Sequence, residues 1–370
     1  MQLGAGDPDI EEQVDRVCEA ERAAVCDLAN QPAFRVALIR TGADQHRFVV
    51  TNHHIVLDGW SMPILLQEIF TSYYGQGLGA PASYRRFVNW LAERDYPAAE
   101  AAWSELFAGF DAPTLVAPPQ RLALGQRGVS SFLVPEDITR SLGELARAHH
   151  TTVNTVLQAA WAQLLCWLTG QHDVAFGIVV SGRPTDVAGA DSMVGLLLNT
   201  VPVRANITAT TTTADLLDQL QGVYNDTLEH QHLALNEIHR VAGQEQLFDT
   251  LFAFENYPID AGALMGEHEL AITDVNTRES THYPLTLQAQ PGHELALRVE
   301  YDTSVFDTDR IDTLIERLRR VLVAMTTDPQ RRLSSMDVLD ADERAQLDEW
   351  GARAVLSRPA TSPSIPALFA

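Results

Sequence analysis

The stretch that most constrains this chain is Val49-Val50-Thr51-Asn52-His53-His54-Ile55-Val56-Leu57-Asp58-Gly59-Trp60-Ser61. Phe48 to Asn52 has the composition of a β-branched strand, and it ends on two adjacent histidines. Asp58-Gly59 then signals a turn, and Ser61 is placed to cap a helix from about Pro63 to Tyr74. Imidazoles are therefore expected where a buried strand gives way to a loop. Average residue usage makes His-His-x-x-x-Asp-Gly a chance event in roughly one chain in a thousand. A histidine in such a place can act as a general base near neutral pH. The competing reading is a pair of core or zinc-binding histidines.

A length of 370 residues allows two domains or one large one, and 46% hydrophobic residues supply substantial cores. A formal net charge of -23 argues against nucleic acid and against anionic membrane surfaces as partners. The local basic cluster Arg85, Arg86 and Arg94 reads as a solvated face. The N-terminus lacks the regions of a signal peptide, and no apolar run is long enough to span a bilayer, so a cytoplasmic location is expected. Cys18, Cys26 and Cys166 show no CxxC spacing, which suggests neither a disulfide framework nor a zinc site. Cys18 and Cys26, eight apart in an expected helix, read as buried packers.

Strand and helix patterns alternate along the rest of the chain. Ile10 to about Leu28 has helical spacing, and Phe34 to Arg40 and Arg47 to Asn52 read as a hairpin. Helices are expected around Tyr84 to Glu93 and Pro97 to Phe110. The clearest break in composition runs from Ala112-Pro113 to Pro118-Pro119-Gln120. It sets an N-terminal lobe at 1–115 and a C-terminal lobe at 116–345. Beyond it, strands are expected at Gly128 to Val134, Asp173 to Val180, Met193 to Arg204 and Phe248 to Phe254. Glu269 to Val275, Leu285 to Gln290 and Leu295 to Tyr301 read as three antiparallel strands. Helices are expected from Pro135 to His149, Asn154 to Leu168, Ala214 to Glu229 and Asp309 to Met325. From about Asp328 the composition becomes linker-like, and 346–370 is set apart as a linker. The mixed order in two parts gives a two-lobed α/β (α+β) enzyme. Two further histidine sites read otherwise. His149-His150 has no Asp-Gly after it and reads as a helix terminus, and His230 with His232 reads as a loop.

These segments together resemble the condensation domains of nonribosomal peptide synthetases. His53 to Ser61 carry that family's His-His-x-x-x-Asp-Gly followed by Trp-Ser. Tyr84-Arg85-Arg86-Phe87-Val88-Asn89-Trp90 is similar to its Tyr-x-x-aromatic-x-x-Trp segment. Ser181-Gly182-Arg183-Pro184 and Val194-Gly195-Leu196-Leu197-Leu198-Asn199-Thr200 are similar to two more. His230-Gln231-His232 aligns with its His-Gln block, although His232, Leu233 and Ala234 replace the usual acidic and aromatic residues. The family's Arg-His-x-x-Leu-Arg segment, which lies well before the His-His motif, is missing, and only 52 residues precede His53. The N-terminal lobe is therefore expected to be truncated. Ile365-Pro366-Ala367-Leu368-Phe369-Ala370 resembles the opening of an adenylation domain.

The resemblance implies the chloramphenicol-acetyltransferase-like fold, two similar lobes in a V with an active-site tunnel between them. It implies amide formation between a donor acyl or peptidyl thioester and an acceptor aminoacyl thioester. Both are held on phosphopantetheine arms of upstream and downstream peptidyl carrier proteins, so the domain would bind no cofactor or metal of its own. Of the catalytic segment, His54 would face the reacting amine, either removing its proton or holding it in line. His53 would be structural, with its ring turned into the lobe, and Asp58 would pair with Arg183. The Gly59 N–H would face the tetrahedral oxyanion. Trp60, Ser61 and Asn199 would line the tunnel. Three alternatives stay open: an epimerisation domain, a free-standing acyltransferase of the same superfamily, and an incomplete fragment that binds carrier protein without catalysing. Epimerisation domains usually read Asp-Gly-Val-Ser-Trp, unlike Asp58-Gly59-Trp60-Ser61.

Overall fold

Phe34–Arg40 (β1) and His46–Asn52 (β2) each carry a short apolar run with β-branched residues, and the two pair as an antiparallel hairpin. The computed structural model describes residues 10–24, 27–118, 126–256, 272–279, 281–339 and 341–351. The hairpin turn closes where the N–H groups of Thr41 and Gly42 donate to the Gln45 carbonyl. One face of the hairpin packs on helix α1 (Ile10–Ala23), where Val14 and Ile39 are buried among Ile10, Val17, Cys18 and Val49. Val36, Leu38 and Phe48 stand on the opposite face and are exposed. Three helices follow: α2 (Ser61–Tyr73), α3 (Tyr84–Ala92) and α4 (Tyr96–Leu106). The Asp95 side chain caps α4 by accepting from the Ala98 N–H, and Pro97 sits in its first turn.

The larger part of the chain builds a six-stranded mixed sheet. Its strands are β3 (Arg127–Val134), β4 (Asp173–Val180), β5 (Asn199–Asn206), β6 (Thr250–Phe254), β7 (Leu285–Gln290) and β8 (Leu295–Asp302). They lie in the order β3-β8-β7-β6-β4-β5, with β6 parallel to both its neighbours and the other pairs antiparallel. The near-continuous apolar run of β4 is explained by this place, since its Val174 to Ile178 are all buried.

Helices α5 (Glu136–Ala148), α6 (Val153–Thr169), α7 (Thr213–Thr227), α8 (Leu235–Val241), α9 (Thr308–Thr327) and α10 (Ala341–Trp350) are the further α-helices among the described residues. Every residue of α6 from Thr155 to Cys166 is buried, which is why its sequence is apolar on all sides. The Thr152 side chain caps its start, and Gly170, at φ 72°, ends it in the left-handed conformation. An apolar stripe on α9, including Ile311, Leu318, Leu322 and Met325, joins the same core. Trp103, Phe107 and Phe110, from α4 and just after it, lie in that core as well. The Trp103 indole donates to the His230 carbonyl at 3.0 Å. Arg204 locks the contact by pairing with Asp173 and donating to the Leu106 and Ala108 carbonyls.

Several expectations about the elements differ from what is seen. The segment expected to start as a strand at Met193 is irregular until Asn199, because its backbone groups serve the site described below. Residues 272–275 form no strand, and the rest of the strand expected at Glu269 to Val275 lies outside the described residues. β7 has β6 as its parallel second neighbour, where three antiparallel strands were expected. The linker-like stretch holds α10, while the remainder of 346–370 and its adenylation-like end lie outside the described residues beyond 351. Cys18 is half-buried, and Cys26 is outside the described residues. Cys166 is buried, and burial pushes its thiol up to about 12. Among the described residues no helix is long and apolar enough to cross a membrane.

Candidate active site

β2 delivers the two histidines as the sequence predicts. The His53 N–H donates to the Ala33 carbonyl at 2.8 Å, which holds the strand end in place. His53 Nδ1 accepts from the Ile55 N–H at 3.1 Å and caps a short 3-10 turn, His54–Val56. That cap keeps the His53 side chain at the surface: it is exposed, not turned into the lobe as expected. His54 is also exposed and lines a cleft of about 3180 Å³.

Four residues after His54 the chain dives inward. Leu57 and Asp58 are both buried, and the Asp58 carboxylate receives four hydrogen bonds. On Oδ1 the donors are the Ser61 N–H (2.8 Å), Ser61 Oγ (2.6 Å) and Arg183 Nη2 (2.9 Å). On Oδ2 the donor is the Leu197 N–H at 3.0 Å. The expected partner of Asp58 is thus in place: the ion pair with Arg183 has side chains 2% and 6% exposed. A buried carboxylate requires such company, since its loss of hydration has to be offset by fixed donors. Arg183 also donates from Nη1 to the Ala190 and Met193 carbonyls and lies 5.7 Å from the Trp60 ring centre.

Ser61 is at the centre of this node. It was expected to cap α2 and to shape the tunnel wall; instead it is the first residue of α2 and fully buried. Asp58 does the capping, through the Ser61 N–H. Ser61 Oγ accepts from the Gly195 N–H (3.0 Å) and from Arg183 Nη2 (3.1 Å), so its hydroxyl is consumed by the node. Trp60 and Gly59 do line the cleft, and the Trp60 indole donates to the Asp191 carbonyl at 3.1 Å. Asn199 lines it too, but its amide is committed to the Gln231 and Leu233 carbonyls at 2.8 Å each, tying β5 to the His230–Leu233 loop.

Two glycines show why the other motif segments have their spelling. Gly182 has φ 58°, and a Cβ there would lie 1.7 Å from the Leu197 carbonyl oxygen. A Cβ on Gly195 would lie 2.6 Å from the Tyr84 ring. Tyr84, the first residue of α3, donates its hydroxyl to the Leu196 carbonyl at 2.5 Å. Burial, and then the charge of Asp58, push its phenol above its ordinary value. Phe87 on α3 packs with Met193 and Leu197, and the Trp90 indole donates to Asp186 at 3.0 Å. Three distant motif segments therefore close around one carboxylate. Sequence reasoning assigned no role to Ser61 Oγ as a hub, to Tyr84, to Gly195 or to the Leu197 N–H. The available signal was the glycine inside Val194-Gly195-Leu196, a small residue where an aromatic ring has to approach.

The remaining histidines do not join this group. His149 ends α5 and His150 has φ 50°, which suits the terminus role expected of them. His232 sits edge-on to Trp90 and Tyr96, and burial holds its imidazole below the usual histidine value. Among the described residues no group of three or more His, Cys, Asp or Glu is placed to hold a metal ion.

Comparison with known proteins identifies relatives of the chain. The family model for the condensation domain matches residues 4–348. Chondramide synthase cmdD of Chondromyces crocatus is 36% identical over 338 residues, covering 88% of this chain and 9% of the relative. Tyrocidine synthase 2 of Brevibacillus parabrevis is 32% identical over 345 residues, covering 89% of this chain and 10% of the relative. The chain therefore spans at most a tenth of the length of these relatives. Among solved structures, the first condensation domain of the calcium-dependent antibiotic synthetase, in complex with a substrate analogue, superposes with a TM-score of 0.71. Its identity is 21%, over 91% of this chain and 79% of that one. The X-domain from teicoplanin biosynthesis superposes at 0.76 and 20%, over 92% of this chain and 81% of that one. At these identities the two likenesses speak for the fold. These comparisons do not bear out the expectation of a truncated N-terminal lobe, and α1 stands ahead of the hairpin. Motif, node and family match coincide along one chain, and the chain belongs to the condensation-domain family of nonribosomal peptide synthetases.

Proposed function

We propose that this domain joins a donor acyl or peptidyl thioester to an acceptor aminoacyl thioester, each presented by a carrier protein. The observation that carries this reading is the division of labour within one short segment. Asp58 is buried and fully hydrogen-bonded, while His54, four residues earlier, stands exposed on the cleft. A catalytic imidazole needs access to substrate and a rigid mount, and the Asp58 node is a rigid mount.

In the reaction, the acceptor amine nitrogen attacks the donor thioester carbonyl carbon. The C–N bond forms, the C–S bond breaks, and the donor arm leaves as a thiol that takes up the proton lost by the amine. His54 addresses the amine, as base or as the acceptor that orients it, and a pKa near working pH suits either task. Gly59, without a side chain at the turn, lets a backbone N–H approach the oxyanion. The phosphopantetheine arms belong to the carriers upstream and downstream, and an adenylation domain following this one would load the acceptor. None of the steps requires a metal.

A second reading is a domain that binds carriers without catalysing. It is favoured by the thin support under the histidines: β1 and β2 form a sheet of two strands with Val36, Leu38 and Phe48 exposed at 49%, 56% and 43%. Dipeptide formation from loaded donor and acceptor carriers, followed by mass spectrometry, separates the two. Product from the wild-type chain supports condensation, and carrier binding with no product supports the second reading.

A further inference from the structure

One peptide unit near the site is held from both sides. The carbonyl of Leu196 accepts from the Tyr84 hydroxyl at 2.5 Å, and the N–H of the same peptide bond, on Leu197, donates to Asp58 Oδ2 at 3.0 Å. In a trans peptide these groups point in opposite directions, so the plane is pinned between a phenol on α3 and the buried carboxylate. The bonds run in series, from Tyr84 O–H through the peptide to Asp58 and on to Arg183, and such chains polarise one another. The neighbouring residues are also constrained: Gly195 lies under the Tyr84 ring, and the Leu197 carbonyl lies against Gly182. Leu196, Leu197, Leu198 and Asn199 form part of the cleft wall, as does Tyr84 itself.

From this arrangement we infer that Tyr84 is a positioning residue for the reaction, acting through the Leu196–Leu197 peptide to fix Asp58 and the cleft wall beside the His54 turn. The inference rests on the condensation reading. Its hydroxyl stays protonated at working pH, because burial and the charge of Asp58 both oppose ionisation. The ring packs against Phe87 at 5.6 Å between centres, so a phenylalanine at this position keeps the packing and loses only the donor.

Tyr84→Phe in the full chain is the test, with three readings on the same preparation. The expected result is a kcat lower by roughly tenfold, a factor equal to about 1.4 kcal/mol. KM for each loaded carrier stays unchanged. Hydrogen exchange followed by mass spectrometry shows faster uptake in the peptide spanning 193–199, with α6 unchanged. A kcat equal to wild type, a loss confined to KM, or unaltered exchange at 193–199 each overturns the proposal. So does failure of Tyr84→Phe to fold, which would make the hydroxyl a structural requirement. Absence of product from the wild-type chain counts against the condensation reading instead, and the exchange measurement still reports on the peptide clamp.

Discussion

Replacing Arg183 by methionine tests the energetic basis of the site. Methionine keeps much of the stem volume and removes the charge. The Arg183 and Asp58 side chains are 6% and 2% exposed, so little solvent reaches the pair to offset the lost guanidinium. Asp58 would keep the Ser61 N–H, the Ser61 hydroxyl and the Leu197 N–H, while the Ala190 and Met193 carbonyls would lose their shared donor. Removing one member of a buried ion pair costs about 3–5 kcal/mol. The three surviving bonds to Asp58 set the expected loss toward the lower end of that range. Asp58→Asn strands Arg183 and is expected to cost a similar amount. The double variant should lose less than the sum, with a coupling of at least about 1.5 kcal/mol, because neither charge is then left alone. Urea unfolding followed by tryptophan fluorescence measures all four proteins. Single-variant losses below about 1 kcal/mol, or additivity in the double variant, would refute the node as the anchor of the motif.

Two further outcomes follow from particular residues. Gly182→Ala is expected to destabilise far more than Gly170→Ala. Both have positive φ, at 58° and 72°, but only the first would drive a Cβ to 1.7 Å from a carbonyl oxygen, whereas the second has open space. Gly170→Ala should cost only the left-handed penalty of about 1–2 kcal/mol, and equal losses in urea unfolding would contradict the steric argument. His232, His239 and His282 are all held below the ordinary histidine value, in each case chiefly by burial. The unfolded chain therefore binds more protons than the folded one as pH falls below about 6.5. Stability is full above that pH and is lost as pH drops through the lowered folded values. The melting temperature should be lower at pH 5.5 than at pH 7.5, and His239→Gln should reduce the difference; a flat profile would contradict the shared direction of the shifts.

Much of the architecture was legible in the sequence because local patterns and tertiary demands agree. β1 and β4 fall at their expected residues, and α6 and α9 differ from expectation by one or two residues at each end. The disagreements share a physical cause. Met193 to Leu198 is apolar and reads as strand, yet backbone groups of Met193, Gly195, Leu196 and Leu197 serve Arg183, Ser61, Tyr84 and Asp58 in place of a ladder. Ser61 has the residue type of a helix cap, but its hydroxyl is drawn into a contact 134 residues away in the chain. The Asp58–Arg183 pair was readable only through family resemblance, since nothing local to either residue points to the other. His53 shows the limit in the opposite direction: a two-residue contact, its Nδ1 with the Ile55 N–H, decides its orientation. The parallel pairing of β6 with β4 and β7 depends on crossovers that strand patterns do not encode.

The most direct measurement is dipeptide formation from loaded donor and acceptor carriers by the wild-type chain and by His54→Ala. His54 is exposed, so its loss should leave the melting temperature unchanged. Product is expected from the wild type, with a loss of at least roughly a hundredfold in the variant, the low end of what a positioned acid–base group contributes. Wild-type rates from a folded His54→Ala protein would contradict it.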